Sequence, residues 1–190
     1  MTRARLLRGT KEIVLILLVY GAYSLVRNLM GNDVSVAERN AHWIVDAERA
    51  LMIFHEKTIQ GWFDHRWLMQ PLNAFYGIAH FAVTGGLMLW LYLRRHTAYP
   101  RLRNAIMLMS GAALVGYVTF PLAPPRLMPE YGIFDALERF GSPWTYENSA
   151  VGAISNQYAA MPSLHIGWAL WCSWVLWTQL PVLRVRVIAV

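Results

Sequence analysis

The chain has 190 residues, 56% hydrophobic and only 15% charged, with nine tryptophans and a positive mean hydropathy. Such usage lies outside that of soluble domains and indicates a membrane protein. The formal net charge of +6 falls in discrete clusters, so it reads as a topology signal rather than a nucleic-acid footprint.

In chain order, Arg3, Arg5, Arg8 and Lys11 precede the first apolar window, about residues 12–29, "IVLILLVYGAYSLV" at its centre. A cleaved signal peptide has the same basic start. No small-x-small cleavage site follows before Arg27, which favours an uncleaved first span. The connection at 31–70 carries Ser35 and Glu38 at capping-box spacing, with Ala41, Ile44, Val45, Leu51 and Met52 at helical intervals. This predicts an amphipathic helix along the outer membrane surface, either interfacial or serving as a lid or brace packed on the bundle. His42, His55 and His65 in the same segment lack metal-ligand spacing.

The second window, 71–93, places Asn73, Tyr76, His80 and Thr84 at intervals of three and four, a polar stripe on one helix face. Such a stripe must face protein or water. His80 falls about 13 Å below Pro71, near the bilayer middle, where it either hydrogen-bonds a neighbouring helix or faces substrate. A second basic cluster, Arg94, Arg95, Arg101 and Arg103, leads to the third window, 104–120. That window ends in "TFPLAPPRLMPEYG", where Pro121, Pro124 and Pro125 stop the helix and are expected to hold Arg126 in an extended segment. Arg126 there either clamps a phosphate with its planar fork or snorkels to lipid headgroups. The polar run at 144–158 is the natural seat of headgroup selectivity.

The fourth window, 162–180, opens with "MPSLHIGW". Pro162 fits the first helical position, which leaves amides of Ser163 and Leu164 at the positive end of the helix dipole. The Ser163 hydroxyl adds a donor, and His165 can protonate an oxygen leaving phosphorus. Trp168, Trp171, Trp174 and Trp177 then sweep round the helix, by spacing packing residues more often than a lipid-chain groove. Cys172 is the single cysteine, which excludes an intrachain disulfide and a cysteine metal site.

The windows, each near the roughly 20 residues a span needs, predict an all-α polytopic helical membrane bundle in a single domain over 1–190. With the basic clusters inside, the N-terminus is cytoplasmic and the "PPRL" and "MPSLH" segments face outward, in a multi-pass protein of the cell membrane. These two motifs, with "NAFYGIAHF", resemble the type 2 phosphatidic acid phosphatase superfamily, and in particular its inositol phosphorylceramide synthase-like, or inositolphosphotransferase, branch. The resemblance runs from about Ser35 to Leu180.

It implies a six-helix membrane enzyme that hydrolyses or transfers lipid phosphoesters through a phosphohistidine, with neither a metal nor another cofactor. Arg126 and Ser163 match the family's phosphate-binding residues, and His165 its leaving-group acid. Leu164 stands where the broad family has glycine, as in the named branch. The lysine of the first motif has no counterpart, and the third motif's nucleophilic histidine and its aspartate do not appear. The final "VIAV" after Arg186 reads as the start of a fifth span, so the chain is expected to be incomplete at its C-terminus. The implied partner is a lipid phosphate or phosphodiester, with no nucleic acid. A non-catalytic lipid-binding module and a homo-oligomeric transporter half are the competing readings. The first follows if the third motif is truly lacking; the second rests on the polar stripe carrying Asn73, Tyr76 and His80.

Overall fold

The computed structural model describes residues 3–29, 33–141 and 158–180. These form seven α-helices and no strand: α1 (Arg3–Leu29), α2 (Val34–Ala50), α3 (Glu56–Trp62), α4 (Arg66–Arg94), α5 (Tyr99–Thr119), α6 (Ala136–Phe140) and α7 (Leu164–Gln179). Helices α1, α4, α5 and α7 cover the four apolar windows, and α4 and α5 are each long and apolar enough to cross a membrane. Helix α4 begins five residues before its predicted start and carries Pro71 inside it. As the sixth residue of the helix, Pro71 lies past the first turn, so its missing N–H removes one bond from the ladder, that to the Trp67 carbonyl.

The four long helices alternate in direction. At one end of the bundle Glu12 of α1 accepts hydrogen bonds from Tyr99 and Arg103 of α5, and Arg95, just past α4, donates to the Gln179 carbonyl of α7 at 3.2 Å. Helices α4 and α7 therefore end together and run parallel. Between them and α5 lies a core of Leu91, Tyr99, Leu102, Ile106, Trp171, Cys172 and Val175. In a bilayer such helices associate through packing and interhelical hydrogen bonds rather than through expulsion of water. The Trp171 indole supplies one such bond, to the Leu102 carbonyl at 2.9 Å, and Trp168 another, to Ser110 Oγ at 3.3 Å. Trp174 and Trp177 face outward.

At the opposite end the connections form a cap. The expected capping box on α2 is not there: Asp33 is the N-cap, accepting from the Val36 amide at 3.2 Å, and Ser35 donates its hydroxyl to that carboxylate. Aspartate two positions earlier outcompetes serine because it presents a charge to the helix dipole. Of the predicted stripe, Ala41 and Val45 are buried along with Ala37, whereas Leu51 and Met52 lie beyond the helix end and are exposed. Helix α2 is a brace. Ala37 and Ala41 pack on Leu122, Ala123 and Met128, and Asn40 donates to the Pro121 carbonyl at 2.8 Å.

Candidate functional site

Arg126 does not sit in an extended segment. Pro124 is extended, but Pro125 opens a 3-10 turn, Pro125–Leu127, with Arg126 at its centre. The fixed proline φ suits the first position of a turn, and the restriction on the residue before a proline acts on Pro124. Arg126 Nη1 donates to Asp135 Oδ2 at 3.0 Å. Asp135 also caps α6 by accepting from the Leu137 and Glu138 amides. Sequence reasoning missed Asp135; a carboxylate directly before "ALERF" is an N-cap signature that could have revealed it.

A second proline-led turn, Pro129–Tyr131, follows. Burial, and then the nearby Glu130 carboxylate, push the Tyr131 phenol upward, so it stays a neutral hydroxyl against His42 of α2. This fastens the arginine-bearing loop to the brace.

The same loop is tied to the start of α7. The Leu122 amide donates to the Tyr158 carbonyl at 2.8 Å and the Ala160 amide to the Leu122 carbonyl at 3.3 Å, making a parallel bridge between Leu122 and Ala159. The two segments leave the bridge in the same direction, and Arg126 and Ser163 each follow it by four residues.

Pro162 is not the first helical residue. Ser163 is the N-cap of α7, accepting weakly from the Ile166 amide at 3.5 Å, so the first-turn amides are those of Leu164 and His165. Pro162 instead packs against Gly116, and its carbonyl accepts from Tyr117 Oη at 2.9 Å.

His165 lies on the polar stripe of α4. Its ring stacks on Tyr76 with centroids 4.1 Å apart and planes 10° apart, and Tyr76 Oη is 3.2 Å from its Nδ1. His80 touches the same imidazole from one turn further along, at 4.1 Å and 52°. Its Nδ1 donates to the Tyr76 carbonyl at 3.1 Å. His165 Nε2 is buried and meets no hydrogen-bond partner among the described residues.

The other two stripe residues are turned to protein elsewhere. Asn73 donates to the Ala136 carbonyl at 2.8 Å and the Gly141 carbonyl at 3.4 Å, which holds α6 in place, while Thr84 contacts Cys172 Sγ. The structure thus brings together Tyr76, His80 and His165, links Arg126 to Ser163 through the bridge, and places Asn73 as a support for the loop carrying Asp135.

Beside this cluster, an almost wholly apolar cavity of about 590 Å³ runs between α1, α4, α5 and α7. Phe81, Leu164 and Trp168 line its end nearest His165. The described residues contain no group of histidine, cysteine and carboxylate side chains able to hold a metal. The residues at 144–157 and the expected fifth span after Arg186 lie outside the described residues.

Two helices of membrane-crossing length in an all-helical chain, with an imidazole and a hydroxyl at one helix start and an arginine on a loop bridged to it, define a helical membrane protein. The chain belongs to the PAP2 superfamily, which residues 42–190 match. Membership points to a lipid phosphatase-type function. No curated protein and no solved structure matches the chain.

Proposed function

We propose that the protein is a membrane phosphoesterase or phosphotransferase acting on a lipid phosphate or phosphodiester at the extracytoplasmic face. The observation that carries this is the parallel bridge between Leu122 and Ala159, which directs Arg126 and Ser163 to the same end of the bundle as the His165 imidazole. Phosphoryl transfer needs charge neutralisation and a proton for the leaving oxygen more than covalent machinery. Arg126, the Ser163 hydroxyl and the first-turn amides of α7 bind the non-bridging oxygens. A guanidinium carries five N–H donors, so a carboxylate at Nη1 is compatible with a phosphate on the same fork. His165 donates its Nε2 proton to the ester oxygen as the bond to phosphorus breaks. The lipid tail lies in the apolar cavity that Leu164 and Trp168 share with the site.

By the resemblance the attacking group is a histidine of the family's third motif, which does not appear among these 190 residues, so the activity is that of the protein read to its natural stop codon. His80 does not fit this role. Its ring is in van der Waals contact with His165, and an in-line displacement needs phosphorus between the nucleophile and the acid. Water as acceptor makes the protein a phosphatase, and an alcohol such as inositol makes it a transferase, the outcome that "PPRL" and "MPSLH" favour. The basic end of the bundle faces the cytoplasm, as the positive-inside rule requires.

The test is release of phosphate, and exchange of headgroup, from a panel of lipid phosphates and phosphodiesters in detergent. His165→Ala should lower the rate by about 10²–10⁴-fold, the usual contribution of a general acid. Turnover that survives His165→Ala refutes the mechanism. Lipid binding without turnover in every variant would make the protein a non-catalytic module.

A further inference from the structure

The apolar cavity beside the site has a floor at the basic end of the bundle, where three helices touch. Tyr92 of α4 and Tyr99 of α5 pack edge to face with centroids 5.2 Å apart. The Tyr92 hydroxyl lies against Gly9 of α1, where a Cβ would stand 3.5 Å from it. Glu12 of α1 accepts from Tyr99 and pairs with Arg103, which closes the ring of contacts.

Above this floor the helices separate. Ile16, Val19 and Tyr23 recur on one face of α1, and Gly85, Met88 and Tyr92 on one face of α4, and both faces line the cavity. Gly85 has no side chain to fill the gap, and a Cβ there meets nothing within 4 Å. Its neighbour Thr84 turns to Cys172 instead. Phe81, at the site end, and Tyr92, at the floor, stand eleven residues apart on α4, about 17 Å at 1.5 Å per residue.

An apolar cavity does not hold water, and this one lies among the four apolar helices, so hydrocarbon is its fitting occupant. Its depth matches one leaflet, about 15 Å or half of a hydrocarbon core. Its volume of about 590 Å³ lies within the roughly 300–1,000 Å³ that takes one small ligand, which suits one tail and not a pair. The mouth decides whose tail enters. Leu164, directly before His165, lines it, and so does Trp168, whose ring stands 5.6 Å from that of His80. A chain leaving the cavity there carries its headgroup to the imidazole.

A tail that leaves the bilayer for this cavity gains almost no hydrophobic free energy, because lipid tails are as apolar as its walls. The cavity therefore selects by exclusion. A tail longer than its depth must part Tyr92, Tyr99 and Glu12, and the hydrogen bonds of the floor would then go unmade inside the bundle.

We propose that the cavity is a blind channel for one acyl tail of the substrate, and that its floor limits the tail length the site accepts. This rests on the reading of the protein as an enzyme of lipid phosphates and deepens it.

Two measurements on the protein read to its natural stop codon, in detergent, test it. The first locates a tail without turnover, using a phosphatidic acid with a diazirine on the last carbon of one tail. After illumination, mass spectrometry should find the label near the floor, at Met88 and Tyr92. Gly85→Phe plugs the channel about 6 Å below Phe81 and should abolish that labelling. Gly86→Phe should preserve it, since Gly86 is exposed, does not line the cavity and has equally open space at its Cβ. A diacylglycerol with the same diazirine lacks the charged group that the site holds and should label the floor about tenfold less. Label confined to outward-facing residues such as Leu108 and Val115, labelling that survives Gly85→Phe, or equal labelling by the diacylglycerol overturns the proposal. Should Gly85→Phe fail to fold, Gly85→Leu replaces it, and the wild-type labelling still decides.

The second measurement is phosphate release from phosphatidic acids of graded tail length. In the wild type kcat/KM should hold for tails up to about one leaflet long and fall beyond. Gly85→Phe should lower the ratio of long-tail to short-tail kcat/KM by about tenfold, the scale of penalty for overfilling an apolar core, and Gly86→Phe should keep the wild-type ratio. A wild-type rate indifferent to tail length, or a ratio unaltered in Gly85→Phe, overturns the proposal. If no lipid phosphate is turned over, the proposed activity falls, and the labelling still decides what the cavity holds.

Discussion

A Cβ at Gly116 would stand 2.6 Å from Pro162 Cδ, closer than real carbon atoms approach. The ring it meets is rigid and sits one residue before the α7 N-cap, so the collision must move the start of α7 or the neighbouring turn of α5. Gly116→Ala should therefore lower both the melting temperature in detergent and turnover. Gly167→Ala meets only the flexible Met109 thioether, at 3.0 Å, and should be tolerated better. Equal melting temperatures for the two variants would show that Pro162 yields.

Asp135 separates two effects at one position, since it caps α6 and holds Arg126. Asp135→Ala loses both and should cost about 1 kcal/mol from the cap alone. Asp135→Asn keeps a capping side chain and loses the charge pair, so its stability should stay near wild type while the KM for a phosphate substrate changes. A KM unaltered in both variants would show that the Asp135 pair does not set Arg126 for substrate.

Helix α2 braces the arginine loop through the Asn40 and His42 side chains, the Ala37 carbonyl and an alanine face. Asn40→Ala removes the hydrogen bond to the Pro121 carbonyl and should cost about 1 kcal/mol, read as a lower detergent melting temperature. Its N-terminus is pH-sensitive. The Ser35 hydroxyl, followed by the Val36 amide, holds the Asp33 carboxyl below its ordinary value. A carboxyl with a depressed folded-state pKa contributes stability above its unfolded value and loses it as pH falls through the folded one. Amide protection in the first turn of α2 should accordingly fade below about pH 4, the ordinary aspartate range. Asp33→Asn, which caps without titrating, should flatten that dependence. Protection that falls identically in both proteins would place the acid-sensitive group elsewhere.

The helical bundle was legible in the sequence because apolar length is a local property, and so was the stripe on α4, because helical spacing alone aligns Asn73, Tyr76, His80 and Thr84. What the stripe meets was not legible, since it depends on the offset of α7 against α4. Yet a clue was present: His80 and His165 each stand fourteen residues before the ends of α4 and α7, about 21 Å at 1.5 Å per residue. Two parallel spans ending at one membrane face would have placed them side by side. The pairing of Asp135 with Arg126 and the contacts of Asn73 were hidden because those partners lie on an irregular connection whose path no periodicity encodes.

That common end also fixes how the molecule should sit in a bilayer. If Arg94, Arg95 and Arg103 mark the cytoplasmic boundary, a hydrocarbon core of about 30 Å puts the His80–His165 pair some 9 Å below the opposite surface, within reach of a lipid phosphate from that side. Met52, 80% exposed in the α2–α3 connection, and His96, exposed between α4 and α5, lie at opposite ends of the bundle. The native Cys172 is buried, so it should contribute little background to thiol labelling. In intact cells a membrane-impermeant maleimide should modify Met52→Cys and spare His96→Cys, which should react only after the membrane is opened. The reverse pattern would put the histidine pair on the cytoplasmic side and move the site to lipids of the inner leaflet. Labelling of both positions in sealed cells would mean that α4 does not cross the membrane.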